Sequence, residues 1–180
     1  MSARRTMEYS DRMAEVMKVM SSRGILLTAW KNGQQANAMA IGWGMIGSIW
    51  SRPVWQVLVR PSRYTYELIE REGIFGVCVM PLALNAAVQH CGTVSGRNGD
   101  KLAETGLTAV RGEALGAPVL AQSVIHYECR VVHRNDFLPE RMVPDIREGA
   151  YPSGDYHRVY WGQIVDARVD EAALGKLFEK

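Results

Sequence analysis

The sequence predicts a mainly β fold with a few peripheral helices, and three observations carry that prediction. Apolar, β-branched runs of strand length recur along the chain: GILLTAW, ANAMAIGW, VWQVLV, IFGVCVM and YHRVYWGQIVDARV. Turn and stop signals separate them, among them Asn32-Gly33, Pro61, Gly73 and Pro81. Helical spacing of apolar residues is confined to a few short stretches. Together these point to one β-barrel or sandwich domain spanning residues 1–180, with helices at its edge.

The first element is a helix over residues 7–20, because Met13, Val16, Met17 and Met20 form an apolar stripe at 3/4 spacing. A barrel region follows over about residues 24–169. Its first two strands flank Lys31-Asn32-Gly33, a hairpin signal because Asn and Gly tolerate positive φ. Gly42, Gly44 and Gly47 then interrupt strand-like sequence, which marks bulges or close approach by another strand or a flat ligand.

The central stretch, WQVLVRPSRYTYELIEREGIF, feeds a strand into a helix. Pro61 ends the ladder, Ser62 is a good N-cap, and Gly73 closes the helix. Free N–H groups, the helix dipole, the hydroxyls of Ser62 and Thr65 and the Arg63 guanidinium would then converge on one point. That set suits a phosphate. It equally suits an ordinary capped helix with a solvated arginine.

Ile74–Met80 reads as a strand and Leu84–Cys91 as a helical turn. The polar segment CGTVSGRNGDKLAETGL comes next. Asp100 can cap a short helix at Lys101–Glu104, and Gly106 closes it. It is not a Walker A loop, since G-x-x-x-x-G-K-[ST] is absent. Ser123–Val132 is strand-like, and Asn135–Ala150 reads as an irregular connection. Tyr156–Val169 forms a long strand with His157, Val159 and Trp161 on one face and Arg158, Tyr160 and Gly162 on the other. A helix over residues 171–178 ends the chain.

Bulk properties exclude several classes. A net charge of +2 with scattered basic residues argues against nucleic acid or an anionic membrane as partner. No run reaches the length of a membrane span, and the N-terminus has no signal-like apolar core. Cys78, Cys91 and Cys129 are odd in number, widely spaced and without a C-x-x-C pair. Reduced thiols in a cytoplasmic, metal-free protein are the expectation. The five tryptophans, Trp30, Trp43, Trp50, Trp55 and Trp161, are core or interface candidates.

Four motifs in order, NAMAIGWG, RPSRYT, CGTVSGRNGDK and DYHRVYWGQ, resemble those of the flavin reductase-like family, which includes the flavoredoxins. The resemblance covers roughly residues 20–168. It implies a six-stranded antiparallel Greek-key split barrel, a homodimer, and FMN bound near the subunit interface. By resemblance, Ser62, Arg63 and Thr65 would hold the FMN phosphate, and Asn37, Ala38, Met39, Ala40 and Trp43 would run along the isoalloxazine. Cys91, Gly92, Thr93, Ser95, Gly96 and Lys101 would line its other side, and His157 and Tyr160 would stand at the nicotinamide or substrate face as catalytic candidates. Ala40 replaces a frequent Thr, Asn98 a frequent Asp and Gln163 a frequent Glu, which would make the local field more positive. Cys91 lacks a partner base, so a nucleophilic role is disfavoured. The implied activity is transfer of electrons from NAD(P)H through FMN to a small acceptor. A carrier reduced by a redox partner protein is the alternative. No G-x-G-x-x-G follows a strand, so a nicotinamide would have to stack directly on the flavin.

Overall fold

The computed structural model describes residues 4–179. Among them a short β1 (Arg5–Thr6) precedes α1 (Met13–Arg23), then β2 (Ile25–Trp30), β3 (Ala36–Ile41), β4 (Gly44–Ile49) and β5 (Arg52–Val59). Next come α2 (Tyr64–Glu72), β6 (Ile74–Val79), α3 (Asn85–Thr93) and α4 (Lys101–Thr105). A small ribbon, β7 (Ala109–Arg111) with β8 (Pro118–Leu120), leads to β9 (Ile125–Asp136), α5 (Pro144–Ala150) and β10 (Arg158–Val169).

The main sheet is antiparallel, with strand order β3-β2-β6-β9-β10-β5-β4 and β1 added on β10, making eight strands among the described residues. That corrects the expected six-stranded barrel, and the sheet is not closed: β3 and β4 are its two edges. Yet β3 and β4 are successive in the chain and joined only by Gly42 and Trp43. Three Cα–Cα steps reach at most about 11 Å, so the sheet must curl until its edges almost meet at that end. The result is a barrel with a slit.

Curling buries both faces of the strands beside the slit. All six residues of β2 are buried. Ile25, Leu27 and Ala29 join Trp55, Val57, Phe75, Tyr127 and Tyr160 inside the curl. Leu26 and Trp30 point the other way, to Cys78, Met80, Val88, Leu102 and Leu120. The period of two thus feeds two cores, one inside the barrel and one under α3 and α4. Gly44 is a place where strand glycine signals close approach, because a Cβ there would lie 2.7 Å from the Gln56 carbonyl oxygen on β5. In the hairpin between β2 and β3, Gly33 takes φ 78°. The Asn32 side-chain oxygen accepts from the backbone of Gln34 and Gln35 at 3.2 and 2.8 Å.

Several expectations need correction. The first helix begins at Met13 and not at residue 7. Asp11 accepts from the Glu8 N–H at 3.2 Å, and its own N–H donates to the Glu8 carbonyl. That local turn competes with helix. The region 135–150 is not irregular: β9 runs to Asp136, and a 3-10 turn at Pro139–Arg141 leads into α5. The final segment is a 3-10 helix, Glu171–Leu177. On β10 the expected alternation holds through Tyr160 and Gly162, because the slip between Trp161 and Gly162 leaves its extra residue, Val132, on β9. Val159 and Tyr160 point to opposite faces of the sheet, and both are buried.

One buried group pins the ribbon. Glu128 on β9 is fully buried, and its carboxylate accepts from the N–H groups of Ala114, Leu115 and Ala117 at 2.9, 2.9 and 3.1 Å. Three charge-assisted bonds meet the cost of burying the charge.

Candidate functional site

A cleft of about 290 Å³ lies at the slit, just where the edge strands converge. That is close to the lower end of small-molecule sites. Its floor is β3, through Asn37, Met39, Ala40 and Ile41, continuing into Gly42 and Trp43. One wall is the start of α2 with the residues before it, Arg60, Ser62, Arg63, Tyr64 and Thr65. The opposite wall is the end of α3 and the polar loop, from Cys91 and Gly92 to Ser95, Gly96 and Lys101. His157 stands at the mouth. Topology therefore gathers three motifs far apart in sequence.

The α2 corner differs from its expected form. Arg63, not Ser62, is the N-cap residue, and no side chain caps the helix. Ser62 is already engaged: its N–H and hydroxyl donate to the Asp155 carboxylate at 3.2 and 2.6 Å. Asp155 has φ 57°, a costly conformation for a non-glycine residue. Thr65 is buried, and its hydroxyl accepts from the Asn37 side-chain amide at 2.8 Å. Arg97 is held by Glu67 and by the Ser62 carbonyl, and its guanidinium lies over the Tyr64 ring. Arg60, a site residue not anticipated from the sequence, donates to the carbonyls of Ala150, Gly154 and Asp155 and covers the Tyr151 ring at 4.9 Å. Its signal was the first arginine of R-P-S-R. Arg63 is exposed on the cleft wall, with no ion pair among the described residues.

Deeper in the cleft, Lys101 is 4% exposed and donates to the Cys91 carbonyl at 3.0 Å. Burial holds its ammonium below the ordinary lysine range, and the charges of Lys31 and Arg63 push the same way against Cys91 and Glu104. An ammonium has three donors, so two remain for an anion or a carbonyl oxygen. Asp100 caps the helix that carries Lys101, accepting from Leu102 and Ala103 at 3.1 and 3.2 Å. Burial raises the Cys91 thiol above its usual range, which removes it as a nucleophile at neutral pH.

Asn37 is 2% exposed, and its side-chain oxygen has no partner among the described residues. A buried acceptor without a donor is costly and suits a ligand that brings an N–H or O–H. Gly96 covers it: a Cβ at Gly96 would lie 1.9 Å from that oxygen. A ligand donor reaches it only with a shift of the Ser95–Arg97 turn. Ala40, Gly42 and Gly92 keep the floor low, and a Cβ at Gly92 would meet Ala40 at 3.1 Å. The residues present thus fit a flat, anionic ligand: small groups for its ring and cations for its phosphate.

Three expected residues do not face the cleft. Ala38 is fully buried in the core under α3. Thr93 turns its hydroxyl back to the Gln89 and His90 carbonyls at 3.2 Å. Tyr160 is fully buried inside the barrel, donates to Glu70 at 2.8 Å and packs on Tyr66, so it is no substrate-facing group. Gln163 bonds Arg52 at 3.0 Å outside the cleft lining and leaves the local field alone. Of the tryptophans, Trp55 and Trp30 are core, while Trp43 and Trp50 are 50% and 56% exposed. Among the described residues no group of His, Cys, Asp or Glu could hold a metal ion, and no helix is long and apolar enough to cross a membrane.

Known proteins share this fold. The family described as "Flavin reductase like domain" matches residues 17–179. A flavoredoxin of Desulfovibrio vulgaris (Miyazaki F) superposes with a TM-score of 0.67 at 26% identity, over 83% of this chain and 70% of that one. A flavoredoxin from Methanosarcina acetivorans gives 0.66 at 29%, over 83% and 69%. Nitrilotriacetate monooxygenase component B from Bacillus cereus shares the fold at 0.67 and 15% identity, over 96% and 84%. Among curated proteins, one from Aeropyrum pernix is 32% identical over 60% of this chain and 41% of its own length. The YddH protein of Escherichia coli K12 is 33% identical over 60% and 58%. The chain thus aligns with about half the length of these curated relatives. With the slit, the cleft and all four motifs accounted for, this chain belongs to the flavin reductase-like family of split-barrel proteins.

Proposed function

We propose that this chain binds FMN in the slit and acts as an NAD(P)H-dependent flavin reductase, passing electrons to a small acceptor. The observation that carries the proposal is the pairing of Arg63, free of ion pairs among the described residues, with the buried Lys101 across a floor of small residues. Bound FMN supplies a ring that accepts a hydride and releases its electrons in pairs or singly. Arg63 and the first N–H groups of α2 bind the phosphate. Lys101 turns its remaining N–H donors to the ring's carbonyl edge, where negative charge grows on reduction. Ala40, Gly42 and Gly92 give the ring room, and Met39 and Trp43 limit access to it.

The chain is proposed to work as a cytoplasmic homodimer. Met45 and Trp50 are 59% and 56% exposed on and beside the edge strand β4, an apolar face suited to a second copy. Light scattering should give twice the chain mass of 20.1 kDa.

The test is anaerobic mixing of FMN-loaded protein with NADH or NADPH. Bleaching of the visible flavin absorbance within seconds is expected. Trp43 and His157 at the mouth, together with the flavoredoxin likeness, favour one alternative: a carrier reduced by a partner protein. No bleaching with either nucleotide, but fast reduction by dithionite, would establish the carrier.

A further inference from the structure

Tyr151 and His157 form a pair at the cleft mouth that flavin binding does not use. Tyr151 is buried, and its hydroxyl lies 2.7 Å from His157 Nδ1. The pair sits in an aromatic cluster. The Trp43 ring is 5.3 Å from His157 and 6.5 Å from Tyr151, and Phe137 and Tyr156 pack on Tyr151 from the other side.

Hydrogen-bond accounting fixes the direction of the bond. If Nδ1 carried the hydrogen, the buried Tyr151 hydroxyl proton would need another acceptor, and among the described residues none other is recorded. Tyr151 therefore donates, Nδ1 accepts, and the ring hydrogen belongs on Nε2. The surroundings agree. Burial and the charges of Arg60 and Arg63 depress the imidazole to about 4 against the opposing Asp155, so the ring is neutral at pH 7. Burial raises the Tyr151 hydroxyl above its ordinary value despite Arg60, so it keeps its proton.

We infer that Tyr151 is a positioning residue that holds His157 in the Nε2–H form, making it a neutral hydrogen-bond donor to a carbonyl oxygen on the second substrate. This rests on the proposed reductase reading, in which that oxygen belongs to the carboxamide of a nicotinamide ring lying against Trp43. The role differs from that of a catalytic acid. No proton leaves the imidazole, and its rate contribution is flat across neutral pH.

The test uses purified, FMN-loaded protein with ¹⁵N-labelled histidine and two variants, Tyr151→Phe and His157→Gln. The second identifies the His157 signals in two-bond ¹H–¹⁵N spectra. Wild type should show the Nε2–H form over about pH 5 to 8. Tyr151→Phe keeps the ring that packs under Arg60 but removes the hydroxyl. Its spectrum should gain the Nδ1–H form, with a higher protonation midpoint. Flavin reduction at saturating nicotinamide should slow roughly 2- to 10-fold, with FMN affinity unchanged. Wild-type Nδ1–H, a charged ring at pH 7, or identical spectra and rates in Tyr151→Phe would overturn the inference. Should that variant fail to fold, the wild-type spectrum alone decides the tautomer. Should no nicotinamide reduce the flavin, the reductase reading falls while the spectra still test the pair.

Discussion

Replacing Arg63 by alanine is the most direct probe of the cleft. Arg63 occupies the N-cap position of α2, is exposed, and makes no ion pair among the described residues. Its removal should therefore disturb no internal contact. A charge-assisted hydrogen bond is worth about 1.5–3 kcal/mol, which predicts FMN affinity lowered by roughly 10- to 150-fold. Solvent access at Arg63 should place the value in the lower half of that range and make it shrink with added salt. Riboflavin, which lacks the phosphate, provides the control and should bind Arg63→Ala and wild type alike. Arg97→Ala is the internal comparison. Its guanidinium is already committed to Glu67 and the Ser62 carbonyl, so loss of an exposed pair worth about 0–1 kcal/mol should change FMN binding little. Flavin fluorescence quenching measures all of these constants. Equal loss of riboflavin and FMN in Arg63→Ala, or no loss of either, would refute a phosphate at this corner.

Other expectations follow from buried groups. Glu128→Gln places an amide N–H₂ against backbone donors that now share a carboxylate, and should cost about 3–5 kcal/mol, read as a lower urea midpoint with an unchanged slope. Burial depresses His126 to about 4, against about 6.5 in the unfolded chain, so the unfolded state binds more protons between those values. Stability should be complete above pH 6.5 and fall by up to about 3 kcal/mol as pH drops towards 4, and His126→Gln should flatten that slope. Cys78, Cys91 and Cys129 are buried, with the Cys78 thiol pushed up to about 12, so a thiol reagent at pH 8 should label none quickly and all three in denaturant. Rapid labelling of native protein would contradict the packing around them.

Legibility differed between elements for physical reasons. The strands of the slit and the turn between β2 and β3 follow local rules, so apolar runs of strand length and Asn32-Gly33 sufficed to find them. The Asp100 cap and the Gly106 stop were legible because both act within one helical turn. Ser62 misled for the opposite reason. Its partner, Asp155, lies 93 residues away, and a distant carboxylate outcompeted the local cap. Tyr160 misled likewise: the carboxylate that engages its hydroxyl, Glu70, lies 90 residues away on α2. Asn135–Ala150 carries prolines that read as breakers, yet Pro144 opens α5 at its first turn, where a missing N–H costs nothing. Arg60 showed locally only as the first arginine of R-P-S-R and Tyr151 gave no local signal, because their roles arise only where the segment around Tyr151 crosses the slit.

The two residues between β3 and β4 act as a caliper. Gly42 and Trp43 tie the sheet's edges together covalently, so the jaw width at that end is set by bond lengths and not by weak contacts. Such a gap cannot breathe by sliding strands apart. It selects for the thickness of what enters, and admission must be governed by pieces laid over the jaws: the loop bearing Gly96 on one side and the segment from Phe137 to His157 on the other. Lengthening the caliper by one residue would alter which ligands fit by shifting Gly42 and Trp43, which themselves line the cleft, and evolution or design could change specificity at that one joint.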